Sequence, residues 1–205
     1  MPSADLPPEK RLSWFVSIIP FLESDDLRIS PDKDRAWDAE SNRSLSATEW
    51  KLLVCPAAYA AARSPEWGFT SYIGVAGVGA DAAELHGGDK RAGFFGYDRV
   101  IRRTDIKDGL MNTMMVIEST SELGPWTAGG KSTVRGLEPE TRPYLATNGP
   151  FGLKHLDDTV CRNKSVRSNI AFADGSVRFV LATVSPATLE ALATIAGGDT
   201  PGDDY

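Results

Sequence analysis

Residues 169–180, with the sequence NIAFADGSVRFV, predict a β-hairpin. Two β-rich runs, residues 169–173 and 176–180, flank Asp174 and Gly175. An Asp-Gly pair between such runs is a strong short-range signal for a two-residue turn of type I′. Both central residues of that turn need positive φ, which glycine adopts freely and aspartate tolerates. Asp174 and Gly175 are therefore predicted to form a structural turn and not an active site.

Apolar residues alternate with small or polar ones along both arms of this hairpin. Ile170 and Phe172 lie on the first arm, and Val177 and Phe179 lie on the second. Successive side chains of a strand point to opposite faces of the sheet. We therefore expect the four apolar side chains to share one face.

A short helix is predicted after the hairpin, over residues 187–195. The Ser-Pro pair at 185–186 suits its first turn, and the Gly-Gly pair at 197–198 suits its end. The remaining residues, 199–205, are predicted to be a mobile tail.

Upstream of the hairpin, short β-rich runs alternate with glycine and aspartate, which is typical of strands joined by turns. We predict three further strands over residues 70–78, 93–103 and 113–118, and a glycine-rich loop over residues 124–136.

The N-terminal third predicts short helices rather than strands. Residues 1–12 should be extended, and the apolar residues 14–22 should dock on a core. One short helix is predicted within residues 32–42, and another begins at Ser46 or Thr48. The expected fold class is α+β, with a mostly antiparallel sheet and a few short helices in a single domain over residues 1–205.

Composition and charge exclude several classes of protein. The 205 residues carry 28 Asp and Glu against 22 Lys and Arg, a net charge of −6. Nucleic-acid binders usually show a basic face, so duplex binding is excluded. The longest apolar run is far shorter than the ~20 residues of a membrane helix. With no signal peptide visible, the chain is expected to be cytoplasmic if Met1 is the true start.

Little in the sequence points to catalysis. Its only histidines are His86 and His155, and it lacks the G-x-S-x-G pattern of a nucleophile elbow. We predict that the protein is not an enzyme, with no catalytic residues and no required cofactor. Cys55 and Cys161 could form a disulfide if the protein is exported; two separate buried thiols are the alternative.

A cation site is one hypothesis for the connector over residues 105–112. Asp105, Asp108 and Asn112 offer three oxygen-bearing side chains, and Gly109 permits a sharp turn. Calcium prefers such oxygens, but it takes six to eight ligands, so backbone, water or a distant carboxylate such as Asp174 would have to complete the shell. The alternative is a set of Asx-turns in which these side chains bond their own backbone.

Five segments together resemble one family. They resemble, in order, the motifs of a bacterial prepilin-like family of unknown function, known as domain of unknown function fifteen-fifty-nine. The segments are SWFVSIIPFLE (13–23), LLVCP (52–56), TSYIGVAG (70–77), DIKDGLMNTMMVIE (105–118) and FADGSVRFV (172–180), the last followed by LEALATIAGG (189–198). His155 resembles the family's histidine before the Asp-Gly turn, although its spacing to that turn is longer here.

The resemblance implies a pilin-like head whose usual N-terminal anchoring helix is absent from this chain. It implies an exported pilin-like or pseudopilin-like module that acts through protein–protein contacts in a type II secretion or type IV pilus-like context. Its location would be the cell envelope or surface if the native N-terminus carries a prepilin leader. The alternative is a solute- or cation-binding envelope module, with ligand contacts from an aromatic cleft around Trp126 and Tyr144.

Overall fold

The computed structural model describes residues 5–22, 30–56, 66–119, 121–146, 149–154 and 166–205. The chain divides into two compact units. Unit 1 consists of Met1–Ser71 and Leu123–Thr133, and unit 2 consists of Tyr72–Glu122 and Val134–Tyr205. The single domain expected over residues 1–205 stays a prediction.

Unit 1 is built from short helices and irregular segments in its described residues. Its α-helices are α1 (Trp14–Ile18) and α2 (Arg43–Ala47). Its 3-10 helices are Pro8–Lys10, Ile19–Phe21, Glu40–Asn42, Lys51–Leu53 and Gly130–Ser132. Across the described part of the chain, every helix is too short or too polar to span a bilayer.

The helices of unit 1 differ from those predicted. Within residues 32–42 only Glu40–Asn42 is helical, and it leads directly into α2. The helix predicted from Ser46 or Thr48 is interrupted, because Thr48 is extended, with φ −72° and ψ 118°. The Thr48 carbonyl accepts a hydrogen bond from Trp126 Nε1 at 2.9 Å instead of from a following helical turn. A tertiary contact thus replaces the local bond that helix propensity would favour.

Unit 2 contains a mixed, mostly antiparallel sheet, which confirms the α+β prediction. Its strands are β1 (Tyr72–Val78), β2 (Met114–Glu118), β3 (Val134–Leu137), β4 (Leu153–Lys154), β5 (Val166–Phe172) and β6 (Val177–Leu181). The order runs β3-β1-β2-β5, and β4 and β6 both pair with β5. The β1–β3 pair is parallel and the other pairs are antiparallel.

Helix α3 (Pro186–Ala193) packs against the sheet and closes the core of unit 2. Ser185 caps it, since its hydroxyl oxygen accepts a hydrogen bond from Thr188 N–H. The helix lies where the Ser-Pro pair predicts it. The core behind it is formed by buried residues of the sheet and the helix, including Ile73, Met114, Ile117, Ile170, Phe172, Val180, Leu189 and Leu192.

The strand predicted over residues 93–103 is wrong. Phe95 N–H donates to Val75 O, and the following residues leave the sheet. Arg99 holds this loop, because its guanidinium donates to the carbonyl oxygens of Ala76, Ala82 and Leu85. The Arg99 side chain therefore holds this loop against β1 and against residues 82–85.

The hairpin forms where it is predicted, but its turn is of a different type. Gly175 N–H donates to Phe172 O at 2.9 Å, and Phe172 N–H donates to Ser176 O at 2.9 Å. Gly175 has φ +87°, whereas Asp174 is not in the positive-φ region. This is the pattern of a three-residue loop with a glycine bulge, and not that of a type I′ turn.

The bulge moves the strand pairing by one residue. A two-residue turn would place Phe172 opposite Val177, whereas the structure places Ile170 opposite Arg178. A shift of one residue exchanges the faces of a strand. Ile170 and Phe172 face the core, and Val177 and Phe179 lie on the other side of the sheet. The prediction of a single apolar face for this hairpin is therefore wrong.

The last two residues of the chain, predicted to lie in a mobile tail, make specific contacts. Asp204 accepts hydrogen bonds from Ser185 N at 2.8 Å and from Thr188 Oγ1 at 2.6 Å. Tyr205 OH donates to Asn112 Oδ1 at 3.1 Å. The tail thus ends against the first turn of α3 and against the connector before β2.

Candidate functional site

The outer face of β6 exposes a row of apolar side chains. Val177 is 65% exposed, Phe179 48% and Leu181 44%. Since the three alternate along one strand, they point to the same face. The guanidinium of Arg167 lies 4.9 Å from the centre of the Phe179 ring. A cation on the neighbouring strand β5 therefore contacts this aromatic ring. We refer to these three apolar residues as the β6 row.

At alternate residues of β6 the backbone N–H and C=O groups point away from β5. Phe172 N–H donates to Ser176 O, and Ala182 N–H donates to Val166 O, which fixes the phase of the antiparallel ladder. Bonded and non-bonded pairs alternate in such a ladder. Val177 and Leu181 therefore direct their N–H groups away from β5. The Leu181 carbonyl instead accepts from Val184 N–H at 3.0 Å, where the strand ends.

The other face of β6 is anchored to the core of unit 2. The Arg178 guanidinium lies 4.2 Å from the centre of the Phe172 ring and 5.5 Å from that of Tyr205. Val180 is buried in the core cluster. These contacts hold the strand in a fixed position while the β6 row stays accessible.

A buried carboxylate fixes the neighbouring strand. Glu118 at the end of β2 is almost fully buried, and its oxygens accept from Asn169 N at 2.7 Å and from Asn169 Nδ2 at 3.2 Å. The carboxylate thus accepts a hydrogen bond from the N–H of Asn169, a backbone group of β5 that points away from β6. It ties β2 to β5 beneath the hairpin.

The Asp174-Gly175 turn is structural in its contacts. Asp174 Oδ1 accepts from Ser176 Oγ at 2.6 Å and from Ser176 N at 2.9 Å. These two bonds from Ser176 lower the pKa of the Asp174 carboxyl from its usual value. The Asp174 side chain therefore stabilises the loop of the hairpin.

The three proposed calcium ligands bond to separate partners. Asp105 Oδ2 accepts from Arg102 N at 2.8 Å, and Asn112 Oδ1 accepts from Tyr205 OH. Asp108 reaches the segment after α3, where it accepts from the backbone N–H groups of residues 197 and 198 and from Thr194 Oγ1. Among the described residues, no group of three His, Cys, Asp or Glu is arranged to hold a metal ion. The contacts of Asp108 and Asn112 with residues 194–205 are not the local Asx-turns of the alternative, and the cation site stays a prediction.

The predicted aromatic cleft differs from the structure, because both rings are buried. Trp126 lies inside unit 1, with its ring 5.9 Å from that of Trp50 in an edge-to-face arrangement. Tyr144 lies in the core of unit 2, and its hydroxyl donates to Glu190 Oε1 at 2.5 Å. Neither ring presents a face to a ligand, which corrects the assignment of Trp126 and Tyr144 as ligand contacts.

The cysteine and histidine hypotheses fall partly outside the described residues. Cys55 is buried, and its backbone N–H donates to Ser71 Oγ at 2.7 Å. Cys161 and His155 both lie outside the described residues. The pairing of Cys55 with Cys161 stays a prediction, which titration of thiols in the unfolded, unreduced protein would decide.

Sequence reasoning missed one buried cation, Arg135 on β3. Only 7% of its side chain is exposed, and it donates to Glu122 Oε2 and Ser119 Oγ, both at 2.8 Å. It lines a cavity of about 470 Å³ in unit 2. An arginine in the four-residue segment VRGL gives no sequence signal of burial, because arginine usually lies at the surface.

One comparison with known proteins gives a match. A family model described as "Protein of unknown function (DUF1559)" matches residues 2–187. This is the family that the five sequence segments resemble. No curated protein and no solved structure is significantly similar to the chain.

Proposed function

The chain belongs to the DUF1559 family of proteins of unknown function, and we propose that it is a non-enzymatic, exported, pilin-like module acting through protein–protein contacts. Its partners would be other pilin-like or envelope proteins in a type II secretion or type IV pilus-like assembly. The observation that carries the proposal is the exposed outer edge of β6, with the β6 row beside it.

The two edges of the sheet differ in a way that supports this proposal. All four residues of β3, at the opposite edge, are buried. At the β6 edge, Val177 and Leu181 are exposed. Proteins usually blunt an exposed edge with charge, proline or a covering segment. The one charged residue within β6, Arg178, is turned to the opposite face, over Phe172.

Such an edge suits a partner that adds a strand. Backbone N–H and C=O groups supply the hydrogen bonds in this mode of recognition, and alternate side chains supply specificity. A partner strand with apolar residues at alternate positions would cover the β6 row.

The experiment compares two exposed valines of unit 2. Val177 lies in the β6 row, and Val100 lies in a loop and is 74% exposed. Val177→Lys should abolish association of the protein with itself or with a pilin-like partner expressed from the same assembly, because a charged edge residue opposes strand pairing. Val100→Lys is the matched control and should associate like wild type.

Association is measured by sedimentation of the purified protein and by co-purification with defined pilin-like partners. The proposal is contradicted if Val177→Lys and wild type associate equally, or if neither wild type nor control associates with any of these partners.

A further inference from the structure

A second surface feature lies beside β3 within unit 2. It is a cavity of about 470 Å³, within the range of about 300–1,000 Å³ that is typical of small-molecule sites. Its walls come from the end of β3, from the 3-10 helix Pro139–Thr141 and from residues 149–151. The charged residues that line it are Glu122, Arg135, Glu138, Glu140 and Arg142.

Arg135 is the buried cation of this cavity. Its guanidinium donates to Glu122 Oε2, Ser119 Oγ and Ser121 O. The Cζ atom of Arg135 lies 5.8 Å from the centre of the Phe151 ring. Its Nε is buried and has no hydrogen-bond acceptor among the described residues. Burial lowers the pKa of Arg135 from its usual value, since removing water disfavours the charged form. A buried guanidinium with an unused donor is one that an additional acceptor would stabilise.

The carboxylate that pairs with Arg135 belongs to a largely exposed side chain. The side chain of Glu122 is 70% exposed. Its backbone has φ +50°, in the left-handed region, where it is the only described residue other than glycine. Such a conformation persists only where its surroundings impose it. Glu122 therefore pairs with the guanidinium from an exposed position, where a ligand carboxylate can compete with it.

The rest of the cavity offers negative charge. Arg142 pairs with Glu190 at 2.5 Å, and both Glu138 and Glu140 line the cavity beyond the end of β3. The cavity thus combines a buried guanidinium with two carboxylates in a space of small-molecule size. That combination matches a ligand that carries one carboxylate and one ammonium group.

We propose that this cavity binds a small zwitterion of the amino-acid or short-peptide class. The ligand carboxylate takes the place of the Glu122 carboxylate on Arg135, and the ligand ammonium lies near Glu140. The inference is independent of the function proposed for the β6 edge, because it concerns other residues of unit 2 and a ligand of another kind.

Calorimetric titration with L-alanyl-L-alanine tests the proposal, with L-alanine and tri-L-alanine as probes of ligand length. Wild type should bind at least one of the three. The C-terminal amide of that ligand should bind about tenfold more weakly, since it lacks the carboxylate charge that pairs with Arg135. Glu122→Gln should bind the ligand severalfold more tightly than wild type, because the resident carboxylate no longer competes. Glu140→Gln should bind it more weakly.

Glu84→Gln is the matched control, because Glu84 is exposed and does not line this cavity. It should bind like wild type. The proposal is overturned if none of the three probes binds wild type or Glu122→Gln at millimolar concentration. It is equally overturned if Glu122→Gln weakens binding, or if the amide binds as well as the free acid.

Discussion

Ile170 on β5 lies directly opposite Arg178 on β6, and the two side chains share the core-facing side of the sheet. Arg178 stays on that side because its guanidinium stacks on the Phe172 ring. The consequence appears one residue away, where Val177 and Phe179 point to the outer face. The exposed β6 row is therefore a product of the glycine bulge in the turn.

The turn itself gives the first prediction. Gly175 has φ +87°, and a Cβ placed there would meet no atom within 4 Å. Gly175→Ala should therefore destabilise the protein through backbone strain alone, by about 1 kcal/mol. Gly175→Asn should cost less, since asparagine tolerates the left-handed region better. Urea unfolding measures both variants; an unchanged midpoint for Gly175→Ala would show that the glycine bulge is absent.

Acid stability gives the second prediction. Hydrogen bonds from the Thr188 side chain and from Ser185 N–H lower the pKa of Asp204 from 3.8. A carboxyl whose folded pKa is lowered contributes stability above the unfolded pKa and loses it as the pH falls through the folded pKa. The melting temperature should therefore decrease as the pH is lowered below 3.8. Asp204→Asn should make the plot of melting temperature against pH flatter in this range. Identical profiles for the two proteins would mean that the tail does not hold α3 in solution.

The connector before β2 gives the third prediction. Asp108 accepts from Gly197 N at 2.7 Å, from Gly198 N at 3.1 Å and from Thr194 Oγ1 at 3.1 Å. Asp108→Ala should destabilise the protein by about 1–3 kcal/mol without any added ion, because it leaves these donors unpaired. The melting temperature of each protein is compared with and without millimolar calcium. Calcium stabilisation of wild type that is lost in Asp108→Ala would instead establish a cation site.

The sequence predicts the positions of the hairpin and of α3 well, because both have local signals. Asp-Gly marks a turn, and Ser185-Pro186 marks a helix start. It does not predict the register of the hairpin, since an Asp-Gly pair fits both a type I′ turn and a loop with a glycine bulge. Register depends on which arrangement lets Phe172 and Val180 reach the core together, and that is a tertiary property.

The candidate sites were predicted less well, for a physical reason. Trp126 and Tyr144 have aromatic rings that suit either a ligand or a core, and composition does not separate these two uses. Their polar atoms are satisfied by Thr48 O and by Glu190, partners far away in the sequence. The ion pair of Arg135 with Glu122 likewise depends on bringing β3 next to the residues that follow β2.

Residue-resolved hydrogen exchange of β6 tests the central claim most directly. In the separate protein, the amides of Val177 and Leu181 should exchange faster than those of Arg178 and Val180, because only the latter pair with β5. On association with a pilin-like partner, the amides of Val177 and Leu181 should become protected. Protection of these two amides in the separate protein, or no change on association, would contradict the account of β6 as the contact edge.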